Sequence, residues 1–362
     1  MAKKNKEETD MEQKPTITEK STKKWMAMLK KQESAVDYSV IHRSNHVFQS
    51  PSPGINYLFG KKQGILPGYT ALISGPPKSG KSLFALAFAG QLHRDDPEAI
   101  VLHFDTEYRK TVDTWAGVFG IDIDRIQSYA TNDPTQIFDF IANEVKAMLQ
   151  EGAPIKMIII DSLAMIQYPK EANKDKSTDF VMGDAAAYLG PAMKMIIPVI
   201  RTYNIANIIC QHARMNMDPS KAKYYPWIIP GGTALKHSVE YWMFCQKIDS
   251  KDSKTFDSDV KDGAGNFIQT GHKIRVKMDE NSLGPQARAV EVSLSYLDGI
   301  VNQHVELADL ASNMGIVERP NNTAYIFEGN KWTGFDNFAL AIKADDELKN
   351  KLIAKIKEVD IT

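Results

Sequence analysis

The chain has 362 residues, with 44 Lys and Arg against 45 Asp and Glu and a formal net charge of −1. No global basic field marks it for nucleic acid, so any such binding must come from local patches. With 43% hydrophobic and 25% charged residues it has the composition of a globular protein with a sizeable core, and no apolar run approaches the roughly 20 residues that span a bilayer. Cys210 and Cys245 both lie inside apolar stretches and the histidines are scattered, which excludes a disulfide framework and a metal cluster. The opening MAKKNKEETDMEQK lacks the apolar centre of a secretory signal, so the expected compartment is the cytoplasm.

Met1 to about Gln32 begins lysine-rich and polar. STKKWMAMLKK then places Trp25, Met26 and Leu29 at helical spacing, with Ser21 or Thr22 as a cap. Two readings stand: a disordered tail with a marginal helix, or an arm that docks on a neighbouring subunit. From VFQSPSPGINYLFGKKQGILPGYTALISG onward the chain alternates. A strand at Ala71–Ser74 leads through a glycine loop into the helix SLFALAFAGQLHR. The strand AIVLHFDTE, the helix PTQIFDFIANEVKAMLQEG, the strand IKMIIIDSLAMI, the helix PAMKMIIPVIRTYN and the strand IANIICQH follow. Strands apolar throughout, alternating with helices, predict an α/β fold with a mostly parallel twisted sheet covered on both faces. After Lys247 the chain is polar and hairpin-like, with strands at HKIRVKM and RAVEVSLSYLDG. From about Val301, a small α/β tail is expected. The organisation reads as an N-terminal arm (1–44), a large α/β core (45–296) and a small C-terminal domain (297–362).

GPPKSGKS, Gly75–Ser82, has the spacing of a phosphate-binding loop, with a strand before it and a helix after it. The loop and helix start, Gly75 through Leu83 with Pro76, Pro77, Lys78, Ser79 and Gly80 between, would wrap the phosphates, with the N–H groups of all but the two prolines facing them. Lys81 would reach the β- and γ-phosphates, and Ser82 would bind Mg²⁺. Such a loop needs a second carboxylate on a neighbouring strand end for the magnesium shell, and MIIIDS supplies Asp161. Hydrolysis needs a group to orient or deprotonate water. The strand VLHFDTE ends in Asp105 and Glu107, two apart. Both could face the site, or one could cap the next helix; Glu107 is the expected base.

The ordered series GPPKSGKS, HFDTE, IIIDSLAMI, IICQHARMN and PGGTALKHSVEYW resembles the RecA/UvsX recombinases, over about residues 45–360. VELADLASNMGIVE and the lysine-rich last helix resemble the C-terminal domain of bacterial RecA, and the loop lengths look more like a phage-encoded UvsX-type protein. The resemblance implies a RecA-like core that binds ATP and Mg²⁺, with Lys81, Ser82 and Asp161 in the roles above and Glu107 as the catalytic glutamate. It places Gln211 as the γ-phosphate sensor and Trp115 near the adenine, where a core tryptophan is the other reading. It implies two DNA-contacting loops, Glu171–Asp184 and His212–Gly232. The second is long for a compact domain. It mixes Arg214, Lys221 and Lys223 with Met215, Met217, Tyr224, Tyr225 and Trp227, cations for a phosphate backbone and aromatics for bases. A lid or protein-contact loop is the alternative.

One departure concerns DENSLGP, where RecA-type proteins carry lysines that reach a neighbour's γ-phosphate. This chain has Asp279, Glu280 and Asn281. Archaeal and eukaryotic recombinases look similar here and use monovalent cations, which implies K⁺ at Asp279; a surface turn is the other reading. The resemblance as a whole implies an ATP-dependent filament on single-stranded DNA, pairing with homologous duplex DNA. Single-strand-binding protein and a loading mediator are implied partners. A paralogue that loads another recombinase and a hexameric RecA-core helicase remain alternatives.

Overall fold

The computed structural model describes residues 19–29, 31, 47–168, 184–248 and 254–360. The chain divides into two units, Met1–His46 and Val47–Thr362. In the first, helix α1 (Glu19–Leu29) begins ahead of Ser21 and Thr22, the expected caps, which therefore lie within its span. Its Trp25, Met26, Met28 and Leu29 are exposed.

The second unit opens with a short helix α2 (Pro53–Leu58), capped by Ser52. Strand β1 (Thr70–Gly75), helix α3 (Lys81–Asp95), β2 (Ile100–Asp105), α4 (Thr111–Phe119) and β3 (Ile126–Ala130) follow. A helix α5 is π-like over Thr135–Asp139 and Ile141–Val145 and closes as α-helix over Lys146–Gln150. Next come β4 (Ile155–Asp161), α6 (Asp184–Thr202), β5 (Ala206–His212), the two-residue strands β6 (Arg214–Met215) and β7 (Trp227–Ile228) flanking α7 (Pro219–Ala222), then α8 (Gly232–Lys236) and β8 (Tyr241–Lys247). The long antiparallel strands β9 (Lys254–Lys261), β10 (Phe267–Asn281) and β11 (Ala289–Ser295) precede β12 (Gly299–Val301). The chain continues with α9 (Gln303–Asn313), the hairpin β13 (Ala324–Phe327) and β14 (Asn330–Thr333), α10 (Phe335–Ala344) and α11 (Asp346–Val359).

Ten strands form one sheet, in the order β12-β11-β10-β8-β1-β5-β4-β2-β3 with β9 on β10. The six strands from β8 to β3 pair in parallel, and β10 to β12 are antiparallel. The apolar strands are buried on both faces because successive side chains point to opposite sides. Ala71, Ile73, Val101, Met157, Ile159, Ile208 and Cys210 pack with α3 and α4. Leu72, Leu102, Phe104, Ile158, Ile160 and Ile209 pack with α5 and α6. Each fully buried Ile, Leu or Phe contributes about 1.5–3 kcal/mol, so these two layers dominate the stability. The same parity decides which strand-end residues reach the phosphate loop.

The C-terminal helices and hairpin share a third apolar core around Leu307, Tyr325, Phe338 and Leu352. Two polar clamps join this part to α2 and to the end of β11. Arg288, beside β11, donates from Nη1 to Tyr57 O (2.8 Å) and Asp360 Oδ2 (2.9 Å) and from Nη2 to Asp360 Oδ1 (2.5 Å). Its guanidinium lies 4.2 Å from the centre of the Tyr57 ring. Glu306 on α9 accepts from Ser52 Oγ (2.5 Å) and Gly54 N (3.1 Å), while its other oxygen is buried without a partner. Burial pushes this carboxyl up to about 7, against the hydrogen bonds from Ser52 and Gly54 and with added repulsion from Asp309. Because the folded value lies above the unfolded one, the stabilisation is complete below the ordinary glutamate range and is lost as pH rises through about 7. The loss is on the order of 3 kcal/mol. Raising the pH from about 5 to about 8 should therefore lower the melting temperature of the native protein more than that of Glu306→Gln. Equal drops in thermal melts of the two would place the pH dependence elsewhere.

Candidate active site

Strand β1 delivers the chain into the phosphate loop, and two glycines allow its path. A Cβ on Gly75 would stand 2.2 Å from Cys245 O, and one on Gly80 would stand 2.5 Å from Ile274 Cδ1. Gly80 takes a left-handed φ of 86° to start α3. Lys81 is buried and donates to the loop carbonyls Gly75 O (3.2 Å) and Pro76 O (2.9 Å). Burial lowers its pKa, against the attraction of Asp161 and Glu107.

The loop opens onto a cavity of about 400 Å³ lined by Lys78 to Leu83, Glu107, Arg109, Thr111, Thr114, Trp115, His212, His272 and Tyr296, within the size range of ligand pockets. It sits at the C-terminal ends of parallel strands, where open α/β sheets bind ligands. Ser79 Oγ is buried there without a partner, a donor that a phosphate oxygen would satisfy. Ser82 hydrogen-bonds Asp161, whose own pKa is raised, chiefly by burial and also by Glu107 and Asp105. A hydroxyl and a buried carboxylate on adjoining elements are a hard-oxygen set that suits Mg²⁺. Lys81 and the loop N–H groups suit a polyphosphate.

Thr106 laces the ends of β2 and β4 together. Its Oγ1 donates to Ser162 O (2.7 Å) and accepts from Ser162 N (2.8 Å), while its own N–H donates to Asp161 O (2.9 Å). This lacing sets Glu107 beside Ser162. Asp105 and Glu107 do not share the cavity. Asp105 is buried and accepts from Glu107 N (3.2 Å) and from Lys110 N (2.7 Å), the residue that caps α4. Glu107 faces the cavity, its Oε1 accepting from Ser162 Oγ (2.9 Å) and His212 Nε2 (2.6 Å), its Oε2 from Arg109 Nε (2.6 Å). Burial pushes the carboxyl up, yet the hydrogen bonds from His212 and Ser162 and the charges of His212 and Arg109 hold it at about 2.

Gln211, expected as the phosphate sensor, lies on the opposite face of β5 from the loop. Its Nε2 donates to Pro230 O (3.0 Å) and its Oε1 accepts from His212 N (2.9 Å). Strand parity accounts for this placement: Ile208 and Cys210 pack on the α3 side and Ile209 on the α6 side, and alternation assigns His212 to the first and Gln211 to the second. The cavity residue is His212. Sequence reasoning also missed Arg109, His272 and Tyr296. Trp115 is half-buried at the cavity with its ring 6.3 Å from that of Tyr296, whose hydroxyl meets His272 Nδ1 at 2.8 Å. Asp279 stands away from the cavity lining, and Lys277 Nζ lies 2.8 Å from its Oδ1.

The 212–232 segment is a small ribbon. Arg214 and Met215 pair with Ile228 and Trp227, and α7 caps the tip on Asp218. Met215, Met217, Tyr224 and Tyr225 are exposed, between 70% and 86%. Trp227 instead turns inward onto Phe244 (6.1 Å between rings). Lys221 pairs with Asp218 at 3.4 Å and Lys223 lies 5.7 Å from the centre of the Tyr224 ring. At the ribbon's foot Ala213 N donates to Gly75 O (2.8 Å), so the ribbon and the phosphate loop share a hydrogen bond. Residues 171–183 of the other expected DNA loop lie outside the described residues.

Thr106→Val would remove the acceptor of Ser162 N and the shorter of the two hydrogen bonds to Ser162 O, leaving that oxygen only Met165 N at 3.4 Å, and the expected loss is about 1–3 kcal/mol. Urea unfolding checks it, and unchanged stability would show that other contacts hold the two strand ends together.

The RecA N-terminal domain family profile matches residues 32–301. Among curated relatives, Protein RecA of Chloroherpeton thalassium is 26% identical over 313 residues, covering 86% of this chain and 80% of its own. Protein RecA of Mesomycoplasma hyopneumoniae strain J is 26% identical over 318 residues, 86% of each chain. Protein RecA of Geobacter sulfurreducens is 25% identical over 297 residues, 82% of this chain and 80% of its own. The cavity at the sheet's C-terminal edge and the matched span agree: this chain belongs to the RecA family.

Proposed function

We propose that the protein is an ATP-dependent homologous-recombination protein that polymerises on single-stranded DNA, pairs it with homologous duplex DNA and hydrolyses ATP to dissociate. The observation that carries this reading is the shared foot of ribbon and phosphate loop, where His212 lines the cavity and Ala213 is bonded to Gly75. A ligand at the loop and a strand on the ribbon would each bias the other's position. The ribbon's exposed Tyr224, Tyr225, Met215 and Met217 offer stacking and wedging groups beside Arg214, Lys221 and Lys223.

In this reading Lys81, Ser79 and the loop N–H groups hold the phosphates, Ser82 and Asp161 hold Mg²⁺, and Trp115 and Tyr296 border the base. Bound Mg²⁺ supplies charge neutralisation at the phosphates. Glu107 accepts the proton of the attacking water, and His212 takes the sensing role that the resemblance had given to Gln211. The exposed face of α1 would dock on a neighbouring copy. A cytoplasmic, phage-encoded UvsX-type protein, assisted by single-strand-binding protein and a mediator, is the setting we favour.

ATP turnover with and without single-stranded DNA in potassium buffer tests the reading. Stimulation of about tenfold or more, with filaments that Lys81→Ala no longer forms, is the expected outcome. ATP binding without stimulation would instead indicate a paralogue that loads another recombinase, and closed rings would indicate a helicase motor. A potassium ion at Asp279 would have to displace the Lys277 ammonium. Faster turnover in KCl than in a salt of a non-coordinating cation is expected if it does, and equal turnover would leave Lys277 as the neutralising group.

A further inference from the structure

Arg109 stands at the mouth of the cavity for reasons written into the turn after β2. The flanking residues Tyr108 and Lys110 both take left-handed backbone conformations, with φ of 56° and 52°. Both would be strained on their own. The buried Asp105 carboxylate holds the turn by accepting from the N–H groups of Glu107 and Lys110. Between them Arg109 lines the same cavity as Lys81 and Ser82. Its side chain remains 58% exposed while Nε holds Glu107 Oε2 at 2.6 Å.

This arrangement has two consequences for phosphoryl transfer. Glu107 Oε2, the oxygen not used by Ser162 and His212, is covered by a guanidinium and is a poor proton acceptor in that state. Among the described residues lining the cavity, Lys78, Lys81 and Arg109 carry a fixed positive charge. Phosphoryl transfer spreads negative charge over the γ-oxygens, and an arginine supplied within the same chain is one known means of neutralising it. A planar guanidinium with several donors binds a phosphate better than it binds one carboxylate oxygen through Nε alone.

We propose that Arg109 is a catalytic arginine acting within its own subunit: the γ-phosphate of bound ATP draws its guanidinium off Glu107, which places a cation on the transferring group and uncovers the base in one movement. The water oxygen forms the new bond to the γ-phosphorus, a water proton passes to Glu107 Oε2, and the bridging P–O bond breaks with its electron pair going to ADP. Arg109 exchanges hydrogen-bond partners and neither gains nor loses a proton. The inference rests on the reading of Glu107 as the base of an ATPase.

The test compares Arg109→Ala and Arg109→Lys with the native chain in three measurements: ATP turnover, ADP affinity, and retention of ADP with aluminium fluoride, which imitates the transferring phosphoryl group. For Arg109→Ala we expect kcat to fall by about 100-fold or more, ADP affinity to stay within about twofold, and the aluminium fluoride complex to be lost. Added guanidinium ion should restore part of kcat, because the deleted group lay at an open surface. Arg109→Lys should recover less than half of the loss, lacking the fork. Turnover and aluminium fluoride retention both within about twofold of native would overturn the inference, as would a loss that guanidinium does not relieve and ADP affinity shares. Should the native chain bind ATP without turning it over, the functional reading fails, while the aluminium fluoride comparison still decides the role of Arg109.

Discussion

The site depends on the reciprocal pair between Thr106 Oγ1 and the two backbone groups of Ser162. A parallel sheet buried on both faces has no room for chemistry along its strands, so polar function is confined to the edge where the strands end. There β2 and β4 would otherwise diverge into separate loops. One hydroxyl, acting as donor and acceptor at once, holds them in step and sets Asp161, Ser162 and Glu107 side by side. The proposed magnesium shell and base both depend on that lacing.

Around it the charges are arranged by contrast. Asp161 is enclosed, and burial raises its pKa. Glu107 is partly enclosed as well, but His212, Ser162 and Arg109 outweigh burial and keep it ionised. Two carboxylates on neighbouring strand ends are thus driven in opposite directions by their partners. A carboxylate held at about 2 accepts protons poorly, so if Glu107 is the base, as proposed, its partners at Oε1 and Oε2 would control when it acts.

Much of this was legible in the sequence because it rests on local pattern. The alternation of uniformly apolar strands with helices announced a covered parallel sheet, and the spacing of Gly75, Gly80, Lys81 and Ser82 announced the loop. Asp161 followed from ending an apolar strand. What escaped depends on geometry that adjacent residues do not encode. Gln211 and His212 are neighbours in the chain but face opposite sides of β5, and only the packing of α3 says which side matters. Alternation from Cys210 would have pointed to His212 had the face of α3 been known. Whether Asp105 and Glu107 both face the site stays open in the sequence, because it turns on where the strand ends, and the chain leaves it at Asp105. Arg109 was invisible because its position follows from left-handed turns at Tyr108 and Lys110, residues with no intrinsic preference for them.

The hydrogen bond from Ala213 N to Gly75 O gives the ribbon a fulcrum. Gly75 has no side chain and lies pressed against Cys245 O on the far strand, so the pivot is backbone on backbone, without a rotamer to absorb displacement. Residues 212–232 then form a lever with its long arm at Tyr224 and Tyr225 and its short arm at the His212 imidazole. In the proposed function, a tilt at the tip would reach Glu107 reduced by the ratio of the two arms, on the scale at which a hydrogen bond is made or broken. Shortening the ribbon by a residue pair would then change that ratio while leaving the pivot in place.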